Sequence, residues 1–181
     1  MLTNIKSFLI FAVMIGSKVH ASEDPPPPYL KYVDEISKEF GKVAEEELNL
    51  VYIGGGGGMP HDVEDIEVCF IAYRTANVKE ARELEVKATE MLLKMINSHE
   101  PIRPYLREYP FKPNRAHVSI SFRQKNNAHQ SQNSLAYVSQ GENKIFYSIN
   151  DTKTDRLVTF HEEPYEEALK IVQNQSPPEK F

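Results

Sequence analysis

Cysteine is nearly absent from this chain, which has one cysteine, Cys69, in 181 residues. A single thiol cannot form an intramolecular disulfide, so the fold has to be stabilised by packing alone. Small exported domains of eukaryotes often depend on disulfides. If this chain is exported, the lack of disulfides therefore favours a bacterial protein.

Long apolar runs and an excess of basic charge are also lacking. The apolar stretch Phe8–Ile15 covers less than half of the about 20 residues that a membrane-spanning helix needs, and no later segment is more suitable. The chain carries 26 acidic and 21 basic residues, a formal net charge of −5. General binding to nucleic acid or to anionic lipid is therefore disfavoured.

The N-terminus has the three parts of a secretory signal peptide. Lys6 supplies positive charge before the apolar stretch, and Val19 and Ala21 occupy the −3 and −1 positions of a cleavage site. Residues 1–21 are therefore predicted to be removed on export to the periplasm or the medium, with an uncleaved anchor as the alternative. Removing Lys6 and Lys18 leaves 19 basic and 26 acidic residues, a net charge of −7.

The remaining chain is long enough for one ordinary domain with its own core. Residues 22–28 include four consecutive prolines and are predicted to form an extended leader. We expect a single α+β domain over residues 29–174 and a short C-terminal tail over residues 175–181.

Two long helices are predicted from apolar residues that recur at three- and four-residue spacing. The first covers residues 29–47. The second follows a capping-box pair, Asn77 and Glu80, and continues to residue 97. A third, short helix is predicted after Pro164, because proline is tolerated at the first helical position.

Strands are predicted where β-branched and aromatic residues are enriched. The predicted ranges are 48–53, 65–74, 117–122, 135–139, 144–149 and 156–160. Gly141 is expected to supply the positive φ of the hairpin turn before residue 144. The short connections favour a two-layer α+β sandwich: a mostly antiparallel sheet of about five or six strands, packed by two long helices and a short C-terminal helix.

Five of the eight glycines form one block, Gly54–Gly58. A phosphate-binding loop would need a lysine and a hydroxyl residue after the glycines, but Met59 and Pro60 follow, and no amphipathic helix comes next. Asp62 and Asp65 would repel phosphate. We therefore interpret the block as a flexible connection between two strands, and no cofactor is expected.

His61 and Asp62 are candidate catalytic residues, because an imidazole beside a carboxylate can act as a general base. A solvated loop is the alternative interpretation. Closely spaced histidines are lacking, so no metal site is predicted. Cys69 lies in an apolar strand and is interpreted as a core thiol rather than a nucleophile.

Basic residues are concentrated between Pro101 and His129, where six of them oppose one acidic residue, Glu108, for a net charge of +5. In extended backbone, four side chains of this segment would share one face and form a surface for an anionic or aromatic partner. They are Arg103, Tyr105, Arg107 and Tyr109. Two alternatives stand beside this hypothesis: Pro104 starts a helical turn that splits the row, or the arginines pair with acidic residues of the helices.

The sequence thus favours an exported, non-enzymatic binding domain whose partner is a protein or an anionic molecule. The alternative is a small periplasmic or secreted hydrolase-like enzyme that uses His61 and Asp62. The sequence pattern contains no indication of the oligomeric state.

Overall fold

The computed structural model describes residues 25–151, 153–154 and 156–175. The predicted signal peptide, residues 1–21, lies outside the described residues, as do residues 176–181 of the predicted tail. The helices are α1 (Tyr29–Leu48), α2 (Val78–Ser98) and α3 (Tyr165–Gln175), with short 3-10 helices at Glu100–Tyr105 and Pro113–Arg115. The strands are β1 (Val51–Gly56), β2 (Ile66–Ala72), β3 (Ala116–Phe122), β4 (Leu135–Gly141), β5 (Lys144–Asp151) and β6 (Arg156–Pro164).

The six strands form one mixed sheet in the order in which they occur along the chain. Strands β2 and β3 are parallel, and every other neighbouring pair is antiparallel. The parallel pair requires a crossover connection, which contains α2. Helix α1 packs on β1, α2 on β3 and α3 on β6, and α2 contacts both other helices. The predicted two-layer α+β sandwich is therefore confirmed.

The core lies between the helices and one face of the sheet. The predicted apolar stripe of α1 is buried there, as Val33, Ile36 and Phe40 illustrate. The ring of Phe40 meets that of Phe70 on β2 edge to face, with 5.3 Å between centroids. The capping box at the start of α2 is also present. Local periodicity therefore located both long helices correctly.

The glycine block belongs partly to β1, which continues to Gly56 instead of ending at Ile53 as predicted. A Cβ atom on Gly57 would lie 2.0 Å from the backbone oxygen of Asp65, and Gly57 has a φ of +147°. Only glycine allows the two backbone segments to approach so closely in this conformation. The block is therefore divided between β1 and the β1–β2 connection, and the prediction that the strand ends at Ile53 was wrong.

The turn between β4 and β5 also differs from its prediction. Its left-handed residues are Glu142 and Asn143, with φ values of 50° and 62°, and Gly141 pairs with Lys144 in the sheet. Two successive left-handed residues define the tight hairpin turn that matches the twist of the strands. The assignment of the positive φ to Gly141 was therefore wrong.

Charged groups are buried between α2 and the strands at the β6 side of the sheet. The Nε of Arg82 donates to Oε1 of Glu163 at 2.7 Å, and the hydroxyl of Tyr147 donates to the same oxygen. One turn along α2, Glu85 is fully buried, and neither of its carboxyl oxygens has a hydrogen-bond partner among the described residues. Burial raises the pKa of Glu85 well above its ordinary value, and the nearby backbone N–H of Gln140 opposes this only in part.

Candidate partner-binding site

Residues 99–115 connect α2 to β3 and contain the candidate site. The side chain of Asn97 fixes this connection to α2: its Nδ2 donates to the backbone oxygen of Phe111 at 3.1 Å, and its Oδ1 accepts from the Phe111 N–H at 2.7 Å. Ile102 and Phe111 are buried in the core. The connection is therefore attached to the rest of the fold at Ile102 and at Phe111. The backbone that carries its exposed side chains is held in place at these two residues.

The extended row that the sequence predicted over residues 103–109 does not form. Residues 100–105 form a 3-10 helix, which starts where Nδ1 of His99 accepts the backbone N–H of Ile102 at 3.3 Å. Pro101 occupies the first turn, where its missing N–H is not needed. A helical turn thus splits the row, as the alternative predicted, but the turn starts at Glu100 and Pro104 lies inside it.

Arg103 and Tyr109 come together at the end of α2. The guanidinium carbon of Arg103 lies 5.0 Å from the centroid of the Tyr109 ring, within the range of a cation–π contact. Both side chains donate to the backbone oxygen of Asn97, Arg103 from Nη2 at 3.2 Å and Tyr109 from its hydroxyl at 3.4 Å. The Tyr109 side chain is nevertheless 54% exposed. We call these two residues the Arg–Tyr platform.

Arg107 points away from the platform, to the segment after the glycine block. Its Nε and Nη2 donate to the two carboxylate oxygens of Asp62 at 3.2 and 2.9 Å, and Nη2 also contacts Glu64. The backbone joins the same two segments, because Val63 donates to Tyr105 and accepts from Arg107. Arg107 is therefore part of a cross-connection between loops.

Tyr105 has a third environment, against α1. Its ring centroid lies 5.9 Å from that of Tyr29 and 6.1 Å from that of Tyr32. Of the four predicted binding residues, the structure brings together Arg103 and Tyr109, and it places Arg107 and Tyr105 elsewhere.

The remaining basic charge of the segment is largely paired. Lys112 and Arg115 both contact Glu108, at 2.7 and 2.8 Å, and together they hold the pKa of that carboxyl below its ordinary value. Nη1 of Arg115 also donates to the backbone oxygen of Glu64 at 3.0 Å. The net charge of +5 therefore produces no continuous basic face, because nearby acidic side chains neutralise much of it.

The histidines of the described residues are dispersed over the fold. His61 is exposed in a loop, its neighbour Asp62 is bound by Arg107, and His117 and His161 lie in β3 and β6. No group of three or more histidine, cysteine, aspartate or glutamate side chains is placed to hold a metal ion within the part of the chain that the structure describes. The alternative based on His61 and Asp62 thus gains no further catalytic group from another histidine.

One histidine does line a groove, of about 410 Å³, between α1 and the end of α2. Nε2 of His99 lies 4.0 Å from a carboxylate oxygen of Glu35. Because Nδ1 accepts the Ile102 N–H, the neutral ring must carry its proton on Nε2. Neutral His99 therefore has no free lone pair with which to act as a base.

A second surface, which the sequence analysis missed, lies on β6. Leu157, Val158 and Phe160 are 53%, 46% and 50% exposed, although all three are large apolar residues. The order of the strands could have indicated this surface. The last strand of an antiparallel series lies at the edge of the sheet unless a later strand pairs with its outer side, and no strand was predicted after residue 160. The pattern of residue types alone did not indicate it.

Among the described residues, no helix combines the length and the apolar character that crossing a membrane would require. Comparison of the chain with protein-family models, with curated proteins and with solved structures gave no match. The interpretation of the site therefore depends on its own geometry.

Proposed function

We propose that this chain is an exported, non-enzymatic domain that binds a partner protein through the Arg–Tyr platform. The observation that carries the proposal is the pairing of a 54% exposed tyrosine with a half-buried arginine on a rigid base. Tyrosine and arginine are enriched among the residues that dominate protein–protein binding energies. An exposed aromatic ring held in one orientation is a suitable centre for such an interface.

The anchoring of the platform supports the proposal through its effect on entropy. Both side chains are already held by the Asn97 backbone oxygen, so binding would immobilise few additional rotamers. Ordering an unanchored long side chain costs about 0.5–1.5 kcal/mol on association. A fixed pair avoids part of that cost.

The charges around the platform indicate the chemistry of the partner. Nη1 of Arg103 lies 4.0 Å from a carboxylate oxygen of Glu100, whose side chain is 81% exposed. This ion pair is weak because both groups are accessible to water. A carboxylate of the partner would replace Glu100 beside Arg103, and a neighbouring planar side chain of the partner would stack on Tyr109. We therefore propose that the partner is a protein with an acidic surface.

The proposal can be tested by quantitative affinity capture from the compartment that contains the protein. The baits are the unmodified protein, the Tyr109→Ala variant and a matched control, Tyr73→Ala, whose tyrosine is 38% exposed at the end of β2. We expect a partner that the unmodified protein and the control retain and that Tyr109→Ala loses. Equal recovery by all three baits would refute the proposed site.

A further inference from the structure

Strand β6 leaves an open sheet edge that is unusually apolar. It is the last strand in the sheet order, and among the described residues no strand pairs with its outer side. Eight of its nine residues are exposed, and only Glu163 is buried. Free backbone groups beside exposed apolar side chains form a template on which another strand can pair.

A bulge determines which β6 residues share a face of the sheet. Val158 pairs with Ile149, and His161 pairs with the buried Tyr147. One residue separates the two β5 partners, but two residues, Thr159 and Phe160, separate Val158 from His161, so β6 has one extra residue here. Because side chains alternate along a regular strand, this extra residue places Val158 and His161 on the same face. It also gives β6 two arms on either side of the bulge, residues 156–158 and 161–163.

These two arms match each other in an antiparallel pairing about a two-fold axis at the bulge. Val158 of one copy would then oppose His161 of the other, and Leu157 would oppose Glu162, with each pair on one face. A continuous sheet requires such agreement of faces. Without the bulge, the same pairing would place opposed side chains on opposite faces.

The charges of β6 favour the same arrangement. Arg156 stands at the start of the strand and has no ion-pair partner among the described residues. The other end carries Glu162, which is paired with Lys144 at 2.6 Å, and is followed by Glu166 and Glu167, which are exposed in the first turn of α3. Antiparallel pairing brings each Arg156 to the acidic end of the other copy, whereas parallel pairing would bring like charges together.

We infer that β6 pairs antiparallel with β6 of a second copy of this chain, so that the two sheets become one sheet of twelve strands. The pairing covers Leu157, Val158 and Phe160 and satisfies the outer backbone groups of both edges. The dimer surface is separate from the Arg–Tyr platform, which lies at the C-terminal end of α2.

The first test is the oligomeric state of the purified protein by sedimentation equilibrium at micromolar concentrations. We expect a dimer, and we expect Phe160→Lys to raise the dissociation constant at least about tenfold. The matched control is Ile53→Lys on β1, the opposite edge, where the side chain is 56% exposed. It should leave the dimer unchanged. Circular dichroism should show both variants folded.

A cross-linking test does not require a comparison of dissociation constants between variants. In a Cys69→Ser background, Thr159→Cys would place two thiols beside the two-fold axis and should form an intermolecular disulfide on mild oxidation, whereas Ile53→Cys should not. The inference would be overturned if the unmodified protein is a monomer. This outcome includes the case in which β6 pairs with a strand of a different protein instead of a second copy. A dimer that Phe160→Lys leaves intact, or that Ile53→Lys disrupts, would overturn it as well.

Discussion

At the scale of single residues, Glu85 is the least expected feature of the molecule. A carboxyl group is rarely buried in this way, because its charged form loses hydration, and for Glu85 the backbone N–H of Gln140 offsets only part of that loss. The phenols of Tyr147 and Tyr165 are close enough to be affected by its charge, and burial raises the pKa of each. Glu85 is therefore protonated in the folded state under conditions where an exposed glutamate is ionised.

This protonation predicts a particular dependence of stability on pH. The folded pKa of Glu85 lies above its value of about 4.5 in the unfolded chain, so the folded state binds more protons between the two values. The contribution of Glu85 to stability is then greatest below pH 4.5 and declines as the pH rises towards the folded pKa. Glu85→Gln, which imitates the neutral acid, should remove this decline.

Urea denaturation at pH 5, 7 and 9 measures the effect. We expect the Glu85→Gln variant to gain stability relative to the unmodified protein as the pH rises. Glu83→Gln, on the same helix at a more accessible position, should show the same pH dependence of the free energy of unfolding as the unmodified protein. Parallel curves for Glu85→Gln would show that Glu85 ionises normally in the folded state.

At the scale of elements, the glycine block offers a sharp internal comparison. Alanine at Gly57 would bring its Cβ to 2.0 Å from the Asp65 oxygen at a φ of +147°, whereas alanine at Gly56 would meet no atom within 4 Å. We expect Gly57→Ala to reduce the free energy of unfolding by about 2 kcal/mol or more, because both the contact and the backbone conformation are strained. Gly56→Ala should change it by less than about 1 kcal/mol.

Thermal or urea unfolding of the two variants checks this comparison. Equal stabilities would mean that the β1–β2 connection is not packed as the structure describes. The same variants also test the sequence argument against phosphate binding, because neither should acquire or lose affinity for a nucleotide in calorimetry. Nucleotide binding by the unmodified protein that Gly57→Ala abolishes would contradict the interpretation of the loop.

The elements differ in how far the sequence could predict them. Helices α1 and α2 follow from local apolar spacing and a capping box, which act within a few residues. The segment 100–105 could not be assigned, because a proline there is compatible with extended backbone and with a helical turn. The continuation of β1 through Gly56 depends on pairing with β2, a contact between residues that the local sequence does not relate.

The candidate site shows the same division. Its residue types were visible as an unusual concentration of arginine and tyrosine. The sequence could not show which of these residues contact each other, because residues distant in the sequence determine the arrangement. Asn97 holds Arg103 and Tyr109, and Asp62 and Glu64 hold Arg107. Pairwise contacts of this kind depend on the tertiary fold, and side-chain alternation along one segment cannot supply them.

At the scale of the whole molecule, we propose an exported protein whose acidic domain binds a partner. Export is a prediction from the first 21 residues. N-terminal sequencing of protein recovered from the periplasm or the medium should therefore begin at Ser22. Recovery of the chain in the membrane fraction with Met1 retained would contradict both the location and the predicted start of the domain.

Partner binding and thermal stability should be measured on the same preparation of the Arg103→Ala, Tyr109→Ala double variant. We expect the binding free energy for the captured partner to be weaker by about 2 kcal/mol or more, as when interface hot spots are truncated. The melting temperature should fall only slightly, because Tyr109 is exposed, Arg103 is only half-buried, and both side chains bond a single backbone oxygen. A variant that melts at a much lower temperature but binds the partner with unchanged affinity per folded molecule would show that the two residues are structural and that the Arg–Tyr platform is not the binding site.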